Sequence, residues 1–433
     1  MASPAGASGS AEGNGKRLFF LKPDPHLQSE QRPRDYLPVR FQPPPADLPA
    51  PAWFVRPAQG HPPAGTPLRL ALAASTAVAV QVRILEGEGE VLAAPPRALT
   101  LAAGARELDL DGLALAPGGY RVEIRGPGRS LSWGVSVLLA GGAEGLQRRF
   151  DRLAPALQPG TRTTLAFRLQ DARQRLAELP ASDPAPALRQ ALNQLENDLQ
   201  ALADGRDPLA SRTGLLRRAY RSALDQTLQP YSLRVPATLV AGKRYPLLVY
   251  LHGSGQSDQG VLDLRRAPDG WFELAPNGRG TSNCFSADHA QEDLREAIAD
   301  TLASYPVDPN RVILAGFSMG GYGVYRTAFE RPGFFQGLAI FSGVPDVASR
   351  WLGPGHPDFL DPANLAGFKG LPIFVFHGSE DRNCPFASTE RLVQLLRQAG
   401  AEVTFEVEPG KGHEPPGAAT LERYFQWLGR WQS

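Results

Sequence analysis

A chain of 433 residues is too long for one ordinary hydrophobic core, so two or three domains are expected. With 42% hydrophobic and 21% charged residues it has the composition of a globular protein. Its net charge of +1 gives no bulk attraction to nucleic acid or to an anionic membrane, and no apolar stretch reaches the roughly 18 residues of a membrane span.

Residues 1–50 are rich in proline, glycine and serine, which predicts an extended tail and linker. The first residues have neither an apolar core nor an early positive charge. The sequence as written therefore predicts no signal peptide and, by default, a cytoplasmic protein. An exported protein whose signal had been removed would have the same sequence.

Residues 51–142 are predicted to form a β-sandwich. Val78, Val80, Val82 and Ile84 alternate with small or polar residues, and turns containing glycine and proline separate several such runs. The length and rhythm resemble an immunoglobulin- or fibronectin-type module. We expect either a spacer packed on the next domain or a module that binds or gates substrate.

Residues 143–214 change to a helical period. Leucines recur every three or four positions over 165–179 and again over 188–202. The pattern predicts two antiparallel helices with a shared apolar seam. Such a hairpin could be a connector between domains or a cap over an active site, and the sequence favours neither.

Residues 215–433 alternate between short apolar strands and helices. Strands are predicted over 231–235, 245–251, 271–275, 311–315, 338–341, 373–376 and 403–407, and helices over 291–304, 389–399 and 420–431. Buried strands that alternate with helices predict a mostly parallel, doubly wound α/β sheet.

A Gly-x-Ser-x-Gly motif, Gly316-Phe317-Ser318-Met319-Gly320, stands between a predicted strand and a predicted helix. In that context the motif is typical of a nucleophile elbow. A strand that reverses directly into a helix strains the serine backbone and crowds the positions two residues away, where glycine fits. The turn would expose the hydroxyl of Ser318.

A serine hydroxyl needs a base to accept its proton and a third group to orient that base. Asp381 follows the strand predicted over 373–376, and His413 follows the last predicted strand. The order serine, acid, histidine suits this kind of sheet, whose sites lie at the carboxyl ends of the strands. Asp346, which follows another strand, is an alternative acid. Glu380 is a weaker alternative.

The region from about residue 215 resembles the α/β-hydrolase superfamily. Within it the region is most similar to carboxylesterases related to polyhydroxybutyrate depolymerases and feruloyl esterases, and to prolyl-oligopeptidase-like hydrolases. The matching motifs are Leu251-His252-Gly253-Ser254-Gly255, Ala275-Pro276-Asn277-Gly278, Val307-Asp308-Pro309-Asn310-Arg311, the glycine-flanked serine, His377-Gly378-x-x-Asp381 and Gly412-His413. The resemblance implies that Asp381 is the acid and His413 the base. It covers about half of the chain.

An oxyanion hole needs backbone N–H groups aimed at the carbonyl oxygen of the tetrahedral intermediate. One would belong to Met319, after the nucleophile, and the resemblance implies that the other belongs to Ser254. Phe317 and Trp351 are the candidate residues of the substrate pocket.

The sequence as a whole predicts a serine hydrolase that cleaves small or polymeric carboxylic esters, including aryl, feruloyl or polyester substrates, without a metal or cofactor. No nucleic-acid partner and no membrane span are expected. A prolyl-oligopeptidase-like peptidase is the second hypothesis, although no propeller repeat precedes the domain. A binding protein on a hydrolase scaffold is the third.

The two cysteines, Cys284 and Cys384, both fall in loops at the expected carboxyl edge of the sheet. We consider two states: a disulfide that ties the acid loop to a neighbouring wall, and two unpaired, partly buried thiols. The absence of an export signal in the sequence favours the thiols.

Overall fold

The computed structural model describes residues 52–432 except positions 88, 112, 114, 140, 179–185 and 211. The predicted tail, residues 1–50, lies outside this part of the chain. All described residues belong to one compact unit, Gln42–Ser433.

Two antiparallel sheets make up the first part of the described chain. The three-stranded sheet has the order β1-β2-β5 and the four-stranded sheet the order β4-β3-β6-β7. The strands are β1 (Trp53–Pro57), β2 (Leu68–Ala74), β3 (Val78–Glu86), β4 (Leu92–Leu101), β5 (Gly104–Leu110), β6 (Gly118–Gly126) and β7 (Arg129–Val137). Apolar side chains of both sheets share one core, because alternate residues such as Leu70 and Leu72 in β2 and Val80 and Val82 in β3 are buried.

Three helices follow, α1 (Gly142–Leu153), α2 (Pro159–Glu178) and α3 (Pro186–Ala203), with a short 3₁₀ turn at Ala154–Ala156. The leucine patterns predict α2 and α3, whereas α1 is a helix that the sequence reasoning missed. The three helices bury a common apolar cluster around Leu146, Leu169 and Leu192. Arg168 of α2 and Arg212 both contact the buried carboxylate of Asp198 in α3, at 3.0 and 2.6 Å.

The remainder forms an eight-stranded sheet of order β15-β14-β13-β12-β10-β11-β9-β8. Its strands are β8 (Gly214–Arg221), β9 (Leu228–Val235), β10 (Tyr245–Leu251), β11 (Phe272–Pro276), β12 (Val307–Phe317), β13 (Gly337–Phe341), β14 (Pro372–Gly378) and β15 (Glu402–Glu408). Strands β10 to β15 pair in parallel, and β9 and β8 extend the sheet antiparallel. The sequence patterns located seven of these strands and missed β8.

Helices cover both faces of this sheet. They are α4 (Ala290–Ser304), α5 (Met319–Glu330), α6 (Val347–Trp351), α7 (Phe386–Gln398) and α8 (Ala418–Leu428), with 3₁₀ turns at Pro362–Phe368 and Gly429–Trp431. Residues of one strand alternate between the two cores: Leu247 and Val249 of β10 enter one, and Leu248 and Tyr250 enter the other. This is the mostly parallel α/β sheet predicted from the sequence.

The helical region packs at one end of the eight-stranded sheet. The hydroxyl of Thr163 in α2 donates to the carbonyl oxygen of Ala219 in β8 at 2.8 Å, and Arg168 donates to the carbonyl of Arg217. Strands β9, β11 and β10 separate β8 from β12, the strand that leads into the serine motif. Helix α2 therefore packs at the β8 edge of the sheet, and three strands separate that edge from β12. Within the described part of the chain, none of the helices has the length and apolarity needed to cross a membrane.

Candidate active site

Ser318 stands at a sharp turn between β12 and α5. Its φ of 57° and ψ of −118° are strained for a residue with a side chain. A Cβ at Gly316 would lie 2.4 Å from the carbonyl oxygen of Gly320, and a Cβ at Gly320 would lie 2.1 Å from that of Leu251. Both glycines are therefore required by the backbone of the turn, as the nucleophile elbow predicts.

His413 connects Ser318 to Asp381. Its Nδ1 lies 2.7 Å from Asp381 Oδ2, and its Nε2 lies 2.9 Å from Ser318 Oγ. Since a carboxylate accepts, the Nδ1–H donates to Asp381 and Nε2 accepts from the serine hydroxyl. Ser318 is 6% exposed and Asp381 5%, so water is largely excluded from the two ends of the series.

Asp381 is held by its own loop. Its Oδ1 accepts the backbone N–H groups of Asn383 at 2.9 Å and Cys384 at 2.8 Å. Burial raises the pKa of this carboxyl, but hydrogen bonds from His377, His413 and the N–H of Cys384 outweigh it and leave the pKa below its ordinary value. The group is thus a carboxylate at neutral pH.

The two alternative acids lie elsewhere. Asp346 precedes α6 and forms an ion pair with Arg350 at 3.0 Å, and the side chain of Glu380 is exposed. Asp381, rather than Asp346 or Glu380, is the carboxylate that contacts His413.

Two backbone N–H groups named from the sequence border the turn. Within the described residues, the N–H groups of Met319 and Ser254 have no hydrogen-bond partner, whereas the N–H of Gly253 donates to Gln256 Oε1 at 2.9 Å. The loop that carries Ser254 lies against the elbow, because a Cβ at Gly253 would be 3.7 Å from the carbonyl oxygen of Phe317. Both N–H groups are therefore available to a ligand near Ser318.

The two aromatic candidates differ in position. The ring of Phe317 lies 4.9 Å from that of His413, centroid to centroid, and is partly buried. Trp351 ends α6 and packs partly buried on the main core. Phe317 thus contacts the imidazole of His413, whereas the described contacts of Trp351 are with the core.

Both cysteines are free and buried, so the disulfide hypothesis is wrong. Cys284 follows β11 and Cys384 follows β14, and β10, β12 and β13 lie between those strands. At about 4.8 Å per strand the loops start about 19 Å apart, compared with the roughly 7 Å that a disulfide spans between Cα atoms. Burial raises the pKa of both thiols, that of Cys284 to about 12.

Two further residues lie beside Asp381: His377, which the sequence showed only as part of the His-Gly-x-x-Asp motif, and Cys384. His377 Nε2 lies 2.7 Å from the carbonyl oxygen of Cys384 and 3.4 Å from Asp381 Oδ2. The thiol of Cys384 interacts with the hydroxyl of Ser318. Among the described residues, ligand atoms of Asp381, Cys384 and His413 lie within 4.8 Å of one another. The His-Gly-x-x-Asp spacing was the available signal for His377, and the position of Cys384 three residues after Asp381 placed it at the same edge of the sheet.

Comparison with known proteins supports a hydrolase domain. The sequence profile of the prolyl oligopeptidase family matches residues 286–431. Over 239 residues the chain is 23% identical to dipeptidyl-peptidase 5 of Porphyromonas endodontalis. The aligned region covers 45% of this chain and 34% of that protein. Over 118 residues it is 30% identical to a probable carboxylesterase SOBER1-like of Arabidopsis thaliana, covering 27% and 41% of the two chains. The chain therefore spans about a third to two fifths of the length of these two relatives.

Among solved structures, a ferulic acid esterase of Anaeromyces mucronatus superposes with a TM-score of 0.41 and 15% identity. The superposition covers 49% of this chain and 88% of that one. In its profile match and its sequence relatives, the carboxy-terminal part of the chain is thus similar to serine hydrolases, both to carboxylesterases and to the prolyl oligopeptidase family.

Proposed function

We propose that this protein hydrolyses carboxylic esters through an acyl-enzyme formed on Ser318. The observation that carries the proposal is the continuous hydrogen-bonded series Asp381–His413–Ser318 at 2.7 and 2.9 Å. His413 accepts the hydroxyl proton as Ser318 attacks the ester carbonyl, then returns it to the departing alcohol. Asp381 holds the imidazole in the tautomer with Nδ1–H and stabilises the imidazolium that forms. Water, activated by the same base, releases the acid.

The negative oxygen of the tetrahedral intermediate is stabilised by the N–H groups of Met319 and Ser254. The proposal is supported by the availability of both groups and by the positive end of α5, which begins at Met319. Phe317, packed against His413, forms part of the wall on which the substrate rests.

The front half of the protein acts as a support in this proposal. Residues 51–142 form an immunoglobulin-like sandwich, and residues 143–214 a helical connector on the catalytic domain, residues 215–433. The contacts of α2 with β8, remote in strand order from β12, favour a connector over a cap.

A peptidase is the second candidate, favoured by the profile match over residues 286–431 and by the dipeptidyl-peptidase relative. The ester-hydrolase proposal is preferred because the described front half consists of two small sheets and three helices rather than propeller blades.

The two activities are separated by one set of assays. Reaction with a fluorophosphonate probe, compared between the natural protein and Ser318→Ala, tests whether the serine is nucleophilic. Aryl esters of increasing acyl length, a feruloyl ester, a polyester and dipeptidyl anilides then define the substrate. We expect labelling that depends on Ser318 and turnover of the esters above that of the anilides. Absence of labelling would leave a binding protein, and faster anilide turnover would favour the peptidase.

A further inference from the structure

We propose that the catalytic centre also binds a thiophilic divalent cation, such as Zn²⁺ or Cd²⁺, through Cys384, His413 and Asp381, and that this binding inhibits the hydrolase. The inhibitory consequence rests on the function proposed above, whereas the binding itself does not.

The donor set is chemically suited to such a cation. Cys384, His413 and Asp381 offer one sulfur, one imidazole nitrogen and one carboxylate oxygen within 4.8 Å of one another. Thiolate and imidazole select Zn²⁺ and its softer relatives over Mg²⁺ and Ca²⁺, which prefer oxygen ligands. Around a tetrahedral Zn²⁺, with bonds of about 2.0 to 2.3 Å, ligand atoms lie about 3.3 to 3.6 Å apart. The ligand atoms would therefore need to move about 1 Å closer together to coordinate the cation.

The position of the thiol matters because it interacts with the nucleophile. Cys384 is 1% exposed and interacts with the hydroxyl of Ser318, while the side chain of His413 is 15% exposed. His413 is thus the most exposed donor of the cluster, and its Nε2 lies 2.9 Å from Ser318 Oγ. The hydroxyl of Ser318 or a water molecule would complete four ligands.

Binding would block the proposed catalysis at either imidazole nitrogen. A cation on Nε2 occupies the lone pair that accepts the proton of Ser318, and one on Nδ1 replaces the hydrogen bond to Asp381. The thiol loses its proton to solvent as the sulfur–metal bond forms, so one proton is released for each cation bound and no electron is transferred.

The experiment compares the full-length natural protein with Cys384→Ser, Cys384→Ala and Cys284→Ser. Cys284 is the matched control, because it is equally a buried free thiol but is not part of the cluster. Each variant is titrated with Zn²⁺, Cd²⁺, Mg²⁺ and Ca²⁺ in the aryl ester assay, and its rate is normalised to its own metal-free rate. Melting temperatures establish that each variant is folded.

We expect Zn²⁺ and Cd²⁺ to inhibit the natural protein and Cys284→Ser reversibly, with activity restored by a chelator. Outer-shell changes alone weaken metal sites ~10- to 100-fold, so loss of the thiolate itself should raise the inhibitory concentration at least about tenfold in both Cys384 variants. Equal inhibition of Cys384→Ala and the natural protein would overturn the proposal.

A second readout does not need activity. Co²⁺ bound to a thiolate gives a charge-transfer absorption, which we expect in the natural protein, Cys284→Ser and Ser318→Ala, but not in the Cys384 variants. Absence of that band in the natural protein would overturn the site even if esters are hydrolysed. Its presence in a protein that neither hydrolyses esters nor reacts with a fluorophosphonate would retain the site and refute the catalytic proposal.

Discussion

The imidazole of His377 lies 3.4 Å from the carboxylate of Asp381, the residue four positions later. Its Nε2 is also 2.7 Å from the carbonyl oxygen of Cys384, so the proton resides on Nε2. The side chain is fully buried, and its Nδ1 has no hydrogen-bond partner among the described residues. The buried imidazole of His377 therefore contacts two residues of one loop, Asp381 and Cys384, and holds them in place.

We predict that His377 positions the acid. His377→Ala should lower kcat with little change in KM, and should lower stability by about 1–3 kcal/mol, because it leaves the carbonyl of Cys384 without its donor. His377→Gln, whose amide nitrogen can occupy the place of Nε2, should recover part of both losses. Steady-state kinetics and denaturant unfolding measure the two effects. Unchanged kcat in a folded His377→Ala protein would show that the contact is only structural packing.

The proposed triad should behave as one unit. Ser318→Ala, His413→Ala and Asp381→Asn should each lower kcat by roughly 10⁴-fold or more, and combined variants should be little worse than the single ones. Asp346→Asn is the matched control, because Asp346 pairs with Arg350 rather than with His413. Near-normal turnover of Asp381→Asn together with an inactive Asp346→Asn would contradict the assignment of the acid.

Gly320 should tolerate no side chain. A Cβ there would lie 2.1 Å from the carbonyl oxygen of Leu251 and 2.7 Å from that of His252, which are backbone atoms of β10 and its loop. Gly320→Ala should therefore destabilise by more than the ~1–3 kcal/mol of ordinary overpacking, or prevent folding. Gly429→Ala is the control: its Cβ would meet nothing within 4 Å and its φ is −54°. Equal urea midpoints for the two variants would contradict the close approach.

The buried carboxyl of Asp293 should make stability depend on pH. Burial raises its pKa from 3.8 to about 6, although Tyr220 and the N–H of Gly278 donate to it at 2.5 and 2.6 Å. The folded protein then binds more protons than the unfolded chain between pH 3.8 and about 6, so this contribution to stability is lost as pH rises through that interval.

Asp293→Asn removes this titration. The stability of the natural protein relative to the variant should fall by roughly 2 kcal/mol between pH 4 and pH 7 and stay level above it. Urea unfolding of both proteins at several pH values gives the difference. A difference that grew with rising pH would mean that the carboxyl is stabilised as an anion, opposite to the effect of its burial.

Removal of everything before Gly214 should leave the catalytic centre complete, because the residues of the proposed site all follow Leu251. Small aryl esters should still be hydrolysed by the shortened protein. Its melting temperature should be lower, since Ala219 and Arg217 of β8 lose their contacts with α2. A folded, soluble shortened protein that is inert toward aryl esters would show that the front half completes the site.

Much of the catalytic half could be predicted from local patterns. Apolar runs of strand length located seven of its eight strands, because buried parallel strands need apolar side chains on both faces. Gly316 and Gly320 indicated the elbow, because a strand that turns directly into a helix leaves no room for side chains two residues before and after the serine. The order of Ser318, Asp381 and His413 along the chain then indicated a common edge of the sheet.

Other features depended on which strands became neighbours. The disulfide hypothesis failed because loops that share an edge can still be three intervening strands apart, as those of Cys284 and Cys384 are. Helix α1 was missed although its apolar residues Ala143, Leu146 and Phe150 recur at helical spacing and join the cluster of α2 and α3. Sequence period reports which face of an element is apolar, whereas the distance from His377 or Cys384 to the proposed triad is set by strand order and packing. The chain by itself thus determined the glycine-flanked turn at Ser318 and the order of Ser318, Asp381 and His413, and only the tertiary structure decided what surrounds them.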